Sequence, residues 1–121
     1  MNRESISYEQ ALDLKELGFD EPCFKGYTEE YKTLINFSNT HTNTSVKNAL
    51  PTKSFTAPLY HQTFRWFREK HDLDSHVYRP NEKLKIWGYN TTLHVNVTPF
   101  KTYEEAELAC LKKLIEIIKN K

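Results

Sequence analysis

Three alternating strings in the second half of the chain decide the fold. They are Ser75-His-Val-Tyr-Arg79, Leu84-Lys-Ile-Trp-Gly-Tyr89 and Leu93-His-Val-Asn-Val-Thr98. Aliphatic residues alternate in them with polar or aromatic residues, which is typical of strands that bury one face. The turn-forming strings Pro80-Asn-Glu82 and Asn90-Thr-Thr92 separate them. The sequence therefore predicts an antiparallel meander over residues 75–98.

Helices are predicted on both sides of this meander. Pro58 suits the first turn of a helix that runs to His71. After the meander, Thr102 and Glu105 have the spacing of a capping box, and they open a string that is acidic at its start and basic toward its end. Its apolar residues keep helical spacing over 103–119, and they are Tyr103, Ala106, Cys110, Leu111, Leu114, Ile117 and Ile118.

The first half of the chain is predicted to hold a helix, a hairpin and a polar segment. The helix covers residues 8–17, where Ser7 and Gln10 have capping-box spacing and Gly18 is a typical stop. The hairpin pairs strands 23–27 and 31–37. Residues 38–56 are interpreted as a long polar loop or linker, with a strand around Val46 to Leu50 as the alternative.

Together these elements predict one α+β domain over residues 1–121. It has three parts: the N-terminal helix and hairpin over 1–37, the polar loop over 38–56, and a helix, three strands and a helix over 57–121. We expect an antiparallel sheet of three to five strands with two helices on one face. The N-terminal helix and hairpin would extend that sheet or cover its other face.

Composition and charge favour an ordinary globular protein. The 121 residues carry a net charge of +1, which points to neither a polyanion nor a membrane surface as partner. No string is long and apolar enough to span a bilayer, and the first residues do not resemble a signal peptide. With two cysteines, Cys23 and Cys110, a reducing cytoplasm is the expected location.

The sequence points to no catalytic, cofactor or metal site. Gly18, Gly26 and Gly88 lie too far apart for a phosphate-binding loop, and no nucleophile elbow is present. Histidines and aspartates are densest at residues 71–76, where a helix is expected to end, but they lack the paired spacing of metal ligands. We therefore expect a protein that is not an enzyme.

The two faces of the meander carry different chemistry. One face is aliphatic and is expected to face the flanking helices; its residues are Val77, Leu84, Ile86, Leu93, Val95 and Val97. The opposite face is aromatic, polar and weakly basic; its residues are His76, Tyr78, Lys85, Trp87, Tyr89, His94 and Asn96. The candidate binding residues are therefore the rings of Trp87, Tyr89 and Tyr78, with Lys85, His76 and His94 as polar partners.

Several surfaces could cover this aromatic face. The N-terminal segment, a second copy of the protein in a homodimer, or another protein would each bury the rings. Stacked bases of single-stranded nucleic acid or a nucleotide are the alternative. The order of helix, three strands and helix is also that of double-stranded RNA-binding domains. Here, however, Glu104, Glu105 and Glu107 open the last helix and would repel a phosphate backbone, which argues against duplex RNA.

Three longer strings resemble small uncharacterised proteins of gut Bacteroidetes and of their phages and prophages. They are Ile6-Ser-Tyr-Glu-Gln-Ala-Leu-Asp-Leu-Lys-Glu-Leu-Gly-Phe-Asp-Glu-Pro-Cys-Phe24, Ala57-Pro-Leu-Tyr-His-Gln-Thr-Phe-Arg-Trp-Phe-Arg-Glu-Lys70 and Tyr103-Glu-Glu-Ala-Glu-Leu-Ala-Cys-Leu-Lys-Lys-Leu-Ile-Glu-Ile117. The resemblance implies a mobile-element setting and a helix-and-sheet sandwich, and it brings no functional residue with it. The leading hypothesis is thus a non-enzymatic accessory protein that contacts a host or phage protein.

Overall fold

The computed structural model describes residues 5–49, 53–81, 83, 85–92, 94, 95 and 99–121, and these form helices and antiparallel strands. In chain order they are α1 (Tyr8–Glu16), β1 (Cys23–Thr28), β2 (Leu34–His41), α2 (Asn43–Ala49), β3 (Ser54–Thr56), α3 (Tyr60–His71), β4 (Ser75–Asn81), β5 (Ile86–Thr91), β6 (His94–Val95) and α4 (Tyr103–Lys119). The paired strands are antiparallel, so the predicted α+β fold class is confirmed.

The chain divides into two compact units, Met1–Thr63 and Phe64–Lys121. The first unit contains a sheet with the strand order β2-β1-β3. The second contains a sheet with the order β4-β5-β6, which is the predicted meander. The boundary falls inside α3, which starts at Tyr60 and not at Pro58.

Strand β1 is the centre of the first sheet, and aromatic rings pack between this sheet and α1. The ring of Tyr8 lies edge-on to the rings of Phe55 and Tyr27, with centroids 5.2 and 5.6 Å away. Phe55 is fully buried. The hydroxyl of Tyr27 donates a hydrogen bond of 2.8 Å to the carbonyl oxygen of Ile6. These contacts fix the segment that leads into α1 against the sheet.

The prediction of a polar loop over residues 38–56 is wrong. Strand β2 continues to His41, and α2 and β3 fill much of the remainder. The alternative of a strand around Val46 to Leu50 is also wrong for the described part, because Val46 is a buried residue of α2. Leu50 itself lies outside the described residues.

Polar side chains in this segment serve as helix caps and as links between strands. The N–H of Thr42 donates to the hydroxyl of Ser45 at 2.9 Å, and the N–H of Ser45 donates to the hydroxyl of Thr42 at 3.1 Å. This reciprocal pair starts α2 as a capping box does. Buried Asn43 donates to the carbonyl of Phe19 and accepts from the N–H of Thr56, both at 2.8 Å. The residues that resemble a loop in the sequence therefore start α2 and link it to β3 and to the turn after α1.

In the second unit, α4 packs on β4 and β5. Its buried residues are Ala106, Cys110, Leu111, Leu114 and Ile115. The hydroxyl of Thr102 accepts the N–H of Glu105 at 3.1 Å, so the predicted cap is confirmed. The Glu105 carboxylate accepts the N–H of Lys101 instead of that of Thr102.

The prediction for the start of α1 is wrong, and the prediction for its end at Gly18 is confirmed. Ser7 is the residue before the helix, but its hydroxyl contacts the side-chain oxygen of Gln10 and caps no N–H group, so the predicted box is wrong. Gly18 ends the helix with φ at 96°. The N–H groups of Gly18 and Phe19 donate back to the carbonyls of Lys15 and Leu14, which is the pattern of a Schellman motif.

We expect Gly26→Ala to destabilise the protein by about 1–3 kcal/mol. A Cβ atom at Gly26 would lie 2.3 Å from Cζ of Phe37 and 2.6 Å from the carbonyl oxygen of Phe55, which belongs to the backbone and cannot move aside. The matched control is Gly88→Ala, where the nearest atom is a movable ring carbon of Tyr78 at 3.3 Å. Chemical denaturation measures both. Equal stability of the two variants would contradict the close packing at Gly26.

We expect Asn43→Leu to cost about 2–4 kcal/mol, because it leaves the Phe19 carbonyl and the Thr56 N–H without their buried partner. The control is Thr44→Ala, which removes an exposed hydroxyl and should cost about 1 kcal/mol or less. Thermal unfolding of the three proteins compares them. A leucine variant as stable as the alanine variant would show that the Asn43 link is dispensable.

Candidate functional site

The pairing register of β4 and β5 determines which of the predicted rings share a face. Val77 pairs with Tyr89, and Tyr78 pairs with Gly88. Paired residues of antiparallel strands project to the same side of the sheet. Tyr89 therefore lies on the side of Val77, and Tyr78 lies on the other. The prediction that these two rings share one exposed face is wrong.

The physical reason is that both sides of β5 are apolar. Ile86 projects to one side, and Trp87 and Tyr89 project to the other. A register shifted by one residue exchanges these sides, and the larger buried area of the rings favours placing them against a helix. Several residues of the predicted faces lie outside the described part of the chain: Leu84, Leu93, Asn96, Val97 and the side chains of His94 and Val95.

Tyr89 is a core residue of the second unit. It is 6% exposed, and its ring lies 6.2 Å from that of Phe100. Burial raises the pKa of its hydroxyl above the usual value, with a further contribution from the nearby Cys110. The ring of Tyr89 therefore presents no open face on which a ligand could stack.

Trp87 is half-buried on the same side of β5 as Tyr89. Its ring has the guanidinium of Arg79 at 5.2 Å and the ring of Tyr103 edge-on at 5.2 Å. Its main-chain N–H and carbonyl are both paired with Phe100 at 2.8 Å. The indole is thus placed between strand β4 and the start of α4.

The remaining candidates are divided between the other face and a turn. His76 and Tyr78 stack nearly parallel on β4, with centroids 5.7 Å apart and an interplanar angle of 8°. Lys85 lies in the turn before β5 with φ at 49°. The structure therefore brings together two pairs, His76 with Tyr78 and Trp87 with Tyr89, on opposite sides of the sheet.

A surface that the sequence analysis missed lies on the outer side of α4. An open cleft of about 530 Å³ runs between this helix and the segment that precedes it. We name it the α4 groove, and its lining residues are Pro99, Phe100, Lys101, Glu105, Leu108, Ala109 and Lys112. Glu105, Leu108, Ala109 and Lys112 stand at positions i, i+3, i+4 and i+7, so they form one stripe along α4. This spacing is the feature of the sequence that could have indicated the groove.

The α4 groove has an apolar floor and a charged rim. Leu108, Ala109 and Phe100 are half-buried, whereas Lys101 and Lys112 are exposed. The carboxylate of Glu105 accepts the Lys101 N–H at 3.2 Å and lies at the positive end of the helix dipole. Within the described ranges, neither lysine side chain has a carboxylate partner.

A smaller cleft of about 230 Å³ lies in the first unit beside the end of α1. Two of its polar side chains, Asp20 and Thr44, bond to each other. The carboxylate of Asp20 accepts the N–H and the hydroxyl of Thr44, each at 2.8 Å. Burial opposes ionisation of Asp20, but the hydrogen bonds from Thr44 outweigh it and lower the pKa. These hydrogen bonds join the segment after α1 to α2.

Both cysteines are buried thiols. Burial raises the pKa of Cys23 to about 11. Its thiol donates to the carbonyl oxygen of Glu21 at 3.5 Å and to the side-chain oxygen of Gln62 at 3.9 Å. Burial raises the pKa of Cys110 to about 12. A thiol with such a pKa is protonated at neutral pH, and the nucleophilic form is the thiolate. The two cysteines therefore act as packing residues.

The described residues show no group of three or more histidine, cysteine, aspartate or glutamate side chains that could hold a metal ion. None of the helices in these residues combines the length and the apolar character required to cross a membrane. In comparisons with known proteins, the chain matches no protein-family model, no curated protein and no solved structure.

We expect Cys23 and Cys110 to resist alkylation by iodoacetamide at neutral pH, because their raised pKa values and burial keep the thiolate population low. In denaturant both should react fully. Mass spectrometry counts the added groups. Rapid labelling of either cysteine in the native protein would contradict the buried, protonated state.

Proposed function

We propose that this protein is a non-enzymatic accessory protein that acts by protein–protein contact through the α4 groove. The observation that carries the proposal is the open apolar cleft on a helix whose opposite side already packs on β4 and β5. Its volume lies in the range of about 300–1,000 Å³ that is typical of binding pockets. A cleft of this kind suits a protruding side chain of another protein, the arrangement found at interface hot spots.

The chemistry of the groove supports binding. Among the described residues that line it there is no histidine or cysteine. Its carboxylate, Glu105, is engaged with the Lys101 N–H. The thiols of Cys23 and Cys110 are buried and protonated, so they supply no nucleophile. The groove offers shape, apolar area and positive charge.

The setting that we propose is the cytoplasm of a bacterial cell, with a phage or prophage as the source and a host or phage protein as the partner. Support for this setting is the resemblance of the strings in α1, α3 and α4 to small proteins of gut Bacteroidetes and their phages. These strings form helices of both units.

Protein contact is preferred to binding of single-stranded nucleic acid. That alternative requires several rings on one surface, since each stacked base contributes about 1–3 kcal/mol. Here Tyr89 is buried and Trp87 lies between Arg79 and Tyr103. His76 and Tyr78 are the stacked pair that shares the other face.

We expect Ala109→Lys to abolish partner capture while the protein stays folded. Lysine is a good helix former, so the change lowers the stability of the folded protein by only about 0.3 kcal/mol through helix propensity. Its long charged side chain would occupy the half-buried floor of the groove. The control is His61→Lys, which adds the same charge at an exposed position of α3.

The measurement is affinity capture with chemical crosslinking from the cells that naturally make the protein. A supporting result is one stoichiometric partner that is crosslinked to Lys101 or Lys112, is retained by the His61 variant and is lost with the Ala109 variant. If the wild type captures nothing, or the Ala109 variant captures the same protein, the proposed function fails.

A further inference from the structure

We propose that the protein forms a dimer in which β2 pairs with β2 of a second copy, antiparallel and with the two Ile35 residues facing each other. The observation that carries this inference is the position of β2 at the edge of the first sheet, where within the described residues it pairs with β1 alone. This edge belongs to the first unit and the α4 groove to the second. The inference therefore does not rest on the function proposed above.

The hydrogen bonds between β1 and β2 show which main-chain groups of β2 point outward. The N–H of Thr28 donates to the carbonyl of Thr33 at 3.0 Å, so these two residues form a hydrogen-bonded pair. Hydrogen-bonded and non-hydrogen-bonded pairs alternate along an antiparallel ladder. Ile35, two residues further, therefore directs its N–H and carbonyl to β1. Leu34 and Asn36 direct theirs away from β1, toward the open side of the strand.

The sequence of β2 lacks the features that keep an edge strand from pairing. Edge strands are usually protected by shortness, by charged side chains or by proline. The other edges of the two described sheets follow this rule, since β3 and β6 have three and two residues and β4 contains Arg79 and Pro80. The eight residues of β2 include no lysine, arginine, aspartate, glutamate or proline. The open edge of β2 is therefore suited to pairing with another strand.

A second copy of β2 fits this edge with a two-fold axis beside Ile35. In that register Leu34 lies opposite Asn36 of the second copy, and Asn36 lies opposite the second copy's Leu34. All the outward N–H and carbonyl groups of these residues are then paired. Regular pairing with β1 covers the same stretch of β2. Because both copies present an identical uncharged strand, no like charges meet, and the contact closes as a two-fold dimer.

Apolar side chains beside this edge favour the same arrangement. Leu34 is 41% exposed, and Tyr31 in the preceding turn is 76% exposed. Ile35 is half-buried and would contact its counterpart directly across the axis. Leu34 would lie diagonally across from its counterpart on the other side of the sheet. Pairing of the two strands thus removes apolar surface from water together with the main-chain groups.

The first experiment tests the register by disulfide formation. In a non-hydrogen-bonded pair the Cα atoms are about 4.5 Å apart, so Ile35→Cys should bridge the two copies. The matched control is Leu34→Cys, whose counterpart lies diagonally at about 7–8 Å, beyond the reach of a disulfide. Under mild oxidation of dilute protein, the Ile35 variant should crosslink at least about tenfold faster, because pairing raises the effective concentration of the two thiols.

Non-reducing electrophoresis measures the two rates. The native cysteines, Cys23 and Cys110, are buried and should contribute little to crosslinking. If the Leu34 variant crosslinks as fast as the Ile35 variant, the proposed register is wrong.

The second experiment measures association by sedimentation equilibrium over a range of concentrations. We expect the wild type to approach twice the chain mass. Asn36→Pro removes an outward N–H from each copy and should raise the dissociation constant by at least about tenfold. Proline is tolerated where the N–H of an edge strand faces solvent, so the pairing with β1 is kept. The matched control, Asn36→Ala, removes the same side chain, keeps the N–H and should still dimerise.

Circular dichroism compares the folds of these variants, and the disulfide experiment tests the pairing in a chain without the proline. A wild type that stays monomeric at every concentration would overturn the inference. A proline variant that dimerises as well as the alanine variant would overturn it too.

These outcomes are distinguishable from those for the α4 groove. Ala109→Lys should leave the dimer intact, and Asn36→Pro should leave capture of a partner by the groove intact. Loss of the dimer in the Ala109 variant would assign self-association to the groove and overturn the pairing through β2. A monomeric wild type that still captures a partner would leave the proposed function standing without this inference.

Discussion

The second unit depends on one pairing, that of Val77 with Tyr89 across β4 and β5. This register turns Tyr89 toward α4, where it is buried and where its ring meets that of Phe100. Two residues before Tyr89, the main chain of Trp87 pairs with Phe100 through both its N–H and its carbonyl. The strand edge thereby fixes the segment before α4, and the part of Phe100 that does not meet Tyr89 forms one wall of the α4 groove.

In the first unit, the packing of the sheet depends in a similar way on a single residue, Gly26. Gly26 has no side chain, so the ring of Phe37 can lie directly over β1 at a distance that a Cβ atom would prevent. Nearby, Asn43 joins the end of α1 to β3 through two hydrogen bonds to main-chain groups. Groups that would cost free energy if they were buried alone are paired with each other.

Features that depend on neighbouring residues could be predicted from the sequence, and those that depend on distant partners could not. The Thr102 cap and the end of α1 at Gly18 arise within one or two turns, so their signals are local. In residues 38–56, by contrast, Asn43 bonds to residues 24 positions before it and 13 positions after it, and such pairs leave no local pattern. The sequence could not show which side of β5 is buried, because Ile86 makes one side apolar and the rings of Trp87 and Tyr89 make the other side apolar.

The α4 groove was missed for a related reason. The sequence analysis assigned to α4 the apolar residues needed to cover a sheet, and Leu108 and Ala109 lie outside that arc. Burial in the structure follows Ala106, Cys110 and Leu114, which leaves Leu108 half-buried. Apolar surface in water costs about 25 cal/mol for each Å² relative to its burial. Folding of the second unit leaves only part of the surface of Leu108 and Phe100 in water, and contact with another protein would bury that part. Leu108 and Phe100 are therefore the half-buried apolar residues on which the proposed contact with another protein would act.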